Sequence, residues 1–142
     1  MTTPTWKFEW NDGMSVGIPE IDAEHKNFVR LINDLNLSIA EGKEQAEIRN
    51  RLQRIVDDAI DHFEHEEQLF QSWNYPDAEG HALAHTGVMQ ALLKIQEAFI
   101  PHGNDAEWVD AGLLIKSLLV NHILTEDSKY ANFLKSRTEK PD

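Results

Sequence analysis

Seven metal-binding side chains stand where four amphipathic helices should each turn an apolar residue inward: His25, His62 with Glu66, His81 with His85, and His122 with Asp127. A lone core histidine is ordinarily a packed, hydrogen-bonded residue. Five, joined by two acids on successive apolar stripes, define a site. Left without a cation, such a buried set would cost several kcal/mol.

The helices are read from apolar spacing. Helix A carries Ile21, His25, Phe28, Ile32, Leu35 and Ile39 in alternating steps of four and three, opens at Pro19 and ends at Glu41-Gly42-Lys43. Helix B carries Leu52, Ile55, Ala59, His62, Glu66, Leu69 and Trp73, and is broken by Asn74-Tyr75-Pro76-Asp77, where Asp77 suits an N-cap. Helix C carries Ala78, His81, His85, Val88, Leu92, Ile95 and Phe99. After the Pro101–Asp105 breaker, with Asp105 a candidate cap, helix D runs from about Glu107 to Leu134 and is apolar over a wide arc. Short connections between such helices predict an all-α, up-down-up-down antiparallel four-helix bundle. Its predicted boundaries are an irregular N-terminal arm at 1–17, which includes Trp6, Phe8 and Trp10, the bundle at 18–136 and a C-terminal tail at 137–142. No internal repeat competes with this reading.

Composition narrows the partners. Twenty-five acidic residues against thirteen basic ones give a net charge of −12, which repels nucleic acid and anionic membranes. The longest apolar stretch, 111–120, is interrupted by Lys116 and is too short to span a bilayer. The first ten residues lack the basic and apolar regions of a signal peptide, so a cytoplasmic location is expected. Cysteine is absent, which excludes disulfides and thiolate-bound metals.

In this topology the start of A, the end of B, the start of C and the end of D share one end of the bundle. At about 1.5 Å per residue, the seven donors fall in a slab on the order of 10 Å thick. His62/Glu66 and His81/His85 are i, i+4 pairs and share a helix face. His122 and Asp127 are five apart, about 140° on an ideal helix. Glu126 has the better spacing, but Asp127 has apolar neighbours at Ile123, Leu124, Tyr130 and Ala131, whereas those of Glu126 include Lys129. Asp127 is therefore the preferred donor, and a locally widened turn would accommodate it. Five imidazoles and two carboxylates exceed the needs of one tetrahedral zinc and suit two octahedral ions such as iron, with the carboxylates bridging. With a bridging oxygen added, that set leaves one coordination position open for a small diatomic ligand.

The segments VGIPEIDAEHK (16–26), HFEHEE (62–67), HALAH (81–85) and HILTEDSKY (122–130) together resemble a bacterial hemerythrin, over about Trp10 to Leu134. The resemblance implies a non-haem di-iron centre with a bridging oxo or hydroxo group that binds dioxygen reversibly, for storage, delivery or scavenging. One iron would be held by His81, His85 and His122. The other, held by His25 and His62, would keep the open position and hold oxygen as hydroperoxide. Glu66 and Asp127 would bridge. It also implies an apolar oxygen pocket of Phe28, Phe63, Leu118, Leu119 and Ile123. The family usually has tryptophan where this chain has Leu118, which bears on pocket shape, ligand access and autoxidation.

The competing classes are a di-iron oxidase, peroxidase or nitric-oxide-handling enzyme, and an oxygen sensor acting through a separate chain. Di-iron oxidases of the ferritin-like kind use about four carboxylates, so two fit that chemistry poorly, and an oxygen-binding protein rather than an enzyme is expected. His65 reads as a surface residue or a support for a ligand, and His102 as a solvated loop residue. Asp22 could orient His25 or simply complement the helix dipole. Trp10 and Trp73 read as packing. The acids of helix B (Asp57, Asp58, Asp61, Glu64, Glu67) read as a solvated face, and any protein partner is left open.

Overall fold

A computed structural model describes residues 8–99 and 105–139; Trp6 and His102 lie outside them. A 3-10 turn at Asp12–Met14 leads into α1 (Pro19–Ala40), α2 (Gln45–Trp73), α3 (Ala78–Phe99), α4 (Asp105–His122), a π-helical turn (Ile123–Asp127) and α5 (Ser128–Glu139). The last three form one uninterrupted rod, since His122 and Ser128 on either side of the turn keep helical backbone angles. No strand occurs among the described residues. Helix α1 packs on α2 and α4, and α3 packs on the same two. This closed ring of sequential neighbours is the predicted four-helix bundle.

Local chemistry sets the ends. Proline at the start of α1 brings a preset φ to a position whose N–H has no intrahelical partner. At the other end, Gly42 adopts φ +69°, its N–H donates to the Ile39 carbonyl (3.1 Å), and the Lys43 N–H donates to Ser38 (3.0 Å). This left-handed stop satisfies carbonyls the helix leaves open. Gly42→Ala is expected to destabilise the fold by about 1 kcal/mol, because a Cβ disfavours that backbone region. Thermal unfolding would read this as a drop of a few degrees with metal content unchanged. Asn74 (φ 52°) ends α2 in the same way, with the Tyr75 N–H donating to Phe70 at 3.0 Å. Asp77 precedes α3 and folds its carboxylate over the first turn, where Gly80 leaves room; a Cβ there would clash with Asp77 Oδ1.

The end of the last helix differs from the predicted outline, with a clear cause. The last helix does not end at Leu134 but continues to Glu139, beyond the expected start of the tail at 137. Arg137 there donates to the Trp73 carbonyl (2.7 Å), which ties the extra turn to the end of α2. The described part of the arm is clasped to the bundle. The Phe8 N–H donates to Asn33 Oδ1 (2.7 Å), Asn33 Nδ2 donates back to the Phe8 carbonyl (2.8 Å), and Phe8, Met14 and Val16 are buried.

The apolar interior has two parts. The larger includes Ile32, Leu52, Ile55, Leu92 and Ile115, all 0–1 % exposed. The smaller gathers Val16, Ile21, Phe70, Tyr75 and Tyr130 at one end. Between them lies a polar layer, bounded by Phe63 of the first cluster and by Phe70 and Tyr130 of the second.

Candidate metal centre

All seven predicted donors lie in that layer and all are buried: His25, His62, Glu66, His81, His85, His122 and Asp127. They form two groups of mutually close ligand atoms. His81, His85 and His122 make one nest, His25 and His62 the other, and Glu66 and Asp127 belong to both.

Each carboxylate divides its two oxygens between the nests. Glu66 Oε1 lies 2.9 Å from His85 Nε2 and 3.7 Å from His81 Nε2, while Oε2 lies 3.5 Å from His62 Nε2 and 3.8 Å from His25 Nε2. Asp127 Oδ1 lies 3.0 Å from His81 Nε2 and 3.2 Å from His122 Nε2, while Oδ2 lies 3.1 Å from His25 Nε2. Each carboxylate thus presents one oxygen to either nest.

The π-turn explains how Asp127 reaches the centre. A turn closed by i→i+5 bonds stacks residues five apart, so Asp127 returns to the face of His122. Glu126, with the better α-helical spacing, lies outside both ligand groups and pairs with Lys129 Nζ at 3.2 Å. The predicted widened turn is thus present, and it selects the carboxylate.

Several donors have no hydrogen-bond partner despite complete burial: Nε2 of His81, Nε2 of His122 and both oxygens of Asp127. They approach one another to 3.0–3.2 Å without hydrogen-bond alignment, so they aim at shared points rather than at each other. A nitrogen-and-oxygen set, free of thiolate and orphaned in this way, fits a pair of hard-to-borderline metal ions.

The charges of the metal-free site lean on one another. Burial alone would depress His62, but a hydrogen bond to Glu24 and the Glu66 carboxylate raise it to about 9. Burial likewise opposes His81, yet Asp127 and Glu66 raise it to about 9. Burial pushes Glu66 up, but the imidazoles of His62, His81 and His85 beside it hold it well below the usual carboxylate range. Asp127 is also held low by His122, His25 and His81, against burial and the Glu66 charge.

Residues behind the ligands orient them, and most were invisible to sequence reasoning. Glu24 accepts from His62 Nδ1 (2.7 Å) and from His65 Nδ1 (2.6 Å), which turns the His62 Nε2 lone pair inward. His65 is therefore a half-buried support. Glu67, expected on a solvated face, accepts from His85 Nδ1 at 3.2 Å. Asp58, from the same expected face, accepts from Asn27 Nδ2 at 2.8 Å. The Tyr130 hydroxyl donates to Glu66 Oε2. Asp22 does not orient His25: its carboxylate accepts from Ser15 Oγ (2.6 Å) and the Val16 N–H (2.9 Å), fastening the arm. Glu24 and Glu67 each adjoin a donor in sequence, which was the one signal available.

Of the predicted pocket residues, Phe28 and Phe63 touch donor imidazoles. Phe28 meets His62 edge-on at 5.4 Å, and Phe63 stacks on His85 at 3.9 Å while touching His62 and His122. Leu119 and Ile123 are buried; Leu118 is half-buried and packs against the main core.

Fold and site together define a four-helix bundle with a histidine-rich candidate metal centre bridged by two acids. The family model described as "Hemerythrin HHE cation binding domain" matches residues 16–134, and the chain belongs to the hemerythrin family. It is 31% identical to a bacteriohemerythrin of Pseudomonas aeruginosa over 126 residues, covering 89% of this chain and 80% of that protein. It is also 31% identical to a hemerythrin-like protein of Naegleria gruberi (94% and 98% covered) and 30% identical to a bacteriohemerythrin of Methylococcus capsulatus (87% and 92%). No described helix is long and apolar enough to cross a membrane.

Proposed function

We propose that this chain binds dioxygen reversibly at a di-iron centre, for storage, delivery or scavenging. His81, His85 and His122 would hold one iron and His25 and His62 the other, with Glu66 and Asp127 offering an oxygen to each. The observation that carries this reading is the division of each carboxylate between a three-imidazole and a two-imidazole nest. When bound, a ferrous pair supplies the two electrons and the open position that oxygen capture needs.

The protein's part is to hold and enclose. Glu24 and Glu67 fix the rings of His62 and His85. Phe28 and Phe63 present hydrocarbon toward the imidazoles, and with Leu118, Leu119 and Ile123 they keep water from the bound gas. The Tyr130 hydroxyl satisfies one lobe of Glu66. A donor set with two carboxylates and five histidines favours holding oxygen over driving oxidation, which sets the oxidase reading second. The bundle at 18–136 is the functional unit, and a cytoplasmic setting is compatible with the absence of cysteine.

Purified protein should contain about two irons per chain. Reduced anaerobically and exposed to oxygen, it should develop a visible absorption band that disappears under vacuum. A colourless protein, or steady oxygen consumption with added reductant, would overturn the proposal. His62→Ala is expected to remove about one iron and abolish the reversible band, with the helical content retained. If that variant still cycles with oxygen, His62 is not a ligand of the binding iron.

A further inference from the structure

We propose that the cleft between α2 and α3 is a docking groove for a basic, amphipathic helix of a partner protein. The groove backs onto the candidate metal centre, with Phe63, Glu67 and His85 at its floor, but the docking argument rests on its outer rim and does not need a bound metal.

The cleft has a volume of about 740 Å³. Three of the seven large apolar side chains exposed among the described residues open onto it: Leu83 (73% exposed), Leu93 (45%) and Ile60 (41%). Apolar side chains gathered along one groove mark an interaction site, whereas scattered ones do not. From Glu79 to Leu93 the α3 wall is about 21 Å long, which matches about four turns of a docked helix. Such a helix would lay residues at i, i+3, i+4 and i+7 into the groove.

Charge decides among occupants. The ionisable side chains lining the cleft, apart from His85 on its floor, are Glu64, Glu67, Asp77 and Glu79, with no lysine or arginine. A helix flanked by Lys or Arg is complementary to that rim, and opposite potentials steer encounter and fix register. A second copy of this chain, at net charge −12, would bring acid against acid.

The test uses a fluorescent peptide of about four turns, with leucines at i, i+3, i+4 and i+7 and lysines elsewhere, titrated against the full chain. Saturable binding is expected, weakened at least tenfold by Leu83→Asp and by Glu79→Lys, with methyl NMR shifts at Leu83 and Leu93. Leu83→Asp makes the chain more acidic, so simple charge attraction would hold or strengthen binding where groove docking loses it. Leu93→Asp is the second variant, should the first fail to fold by circular dichroism. Overturning results are absent saturation, undiminished binding to a folded groove variant, or equal binding of a peptide with glutamate in place of lysine. Self-association that Leu83→Asp abolishes would overturn it too, by making a second copy the occupant.

Discussion

Asp127→Ala should empty both metal sites at once, while Glu126→Gln leaves them filled. Asp127 gives one oxygen to each nest, at 3.0–3.2 Å from His81, His122 and His25. Its loss also removes a buried counter-charge that helps raise the pKa of His81 and His62. Removing one partner of a buried charge pair costs about 3–5 kcal/mol, so the metal-free variant should melt well below the metal-free parent. Glu126 pairs with Lys129 near the surface, and exposed pairs contribute little. Metal analysis of both variants, with melting curves after chelation, measures the contrast. Equal metal content in the two would mean that the π-turn does not select the donor.

The second large effect is a pH dependence that reverses when metal is removed. In the metal-free protein His62 and His81 are raised to about 9, from about 6.5 when unfolded. A raised folded pKa stabilises fully below the unfolded value and ceases to do so as pH rises through the folded one. That contribution is therefore complete below about pH 6.5 and disappears toward 9. Glu66 and Asp127 are held low, so theirs is present above about pH 4 and fades as pH falls through their depressed values. Stripped protein should be most stable between about pH 4.5 and 6.5. Metal binding instead needs neutral imidazoles and competes with protons, so it strengthens as pH rises. The gap in melting temperature between iron-loaded and chelated samples should widen steadily from pH 6 to 9. A gap independent of pH would show that protons and metal do not share these nitrogens.

The sequence carried the inward-facing residues well because helical period determines direction and chain length determines height. His25, His62, His81, His85 and His122 each replace an apolar residue in a stripe, and that substitution can be counted without coordinates. Even the π-turn left a trace, in a five-residue step between His122 and the acid with apolar neighbours. What escaped depends on how one helix is rotated against the next. Glu24 bonds His62 and His65 across the α1–α2 seam, and Glu67 bonds His85 across the α2–α3 seam. Neither contact has a spacing to read. Asp22 keeps the first-turn position that complements the helix dipole, but its partners, Ser15 and Val16, lie in an irregular segment without period and could not be read. The extension of the last helix to Glu139 depends on Arg137 finding the end of α2, again a matter of tertiary placement.

The aromatic layer at the end of the bundle bears on how long a guest stays inside. Phe70, Tyr75 and Tyr130 seal that pole, Trp73 packs over them, and Arg137 latches α5 to the Trp73 carbonyl. Departure along the long axis must wait for this plug to loosen. For anything bound in the polar layer, residence time would then depend on how often the C-terminal helix breathes, and not only on how tightly it is gripped.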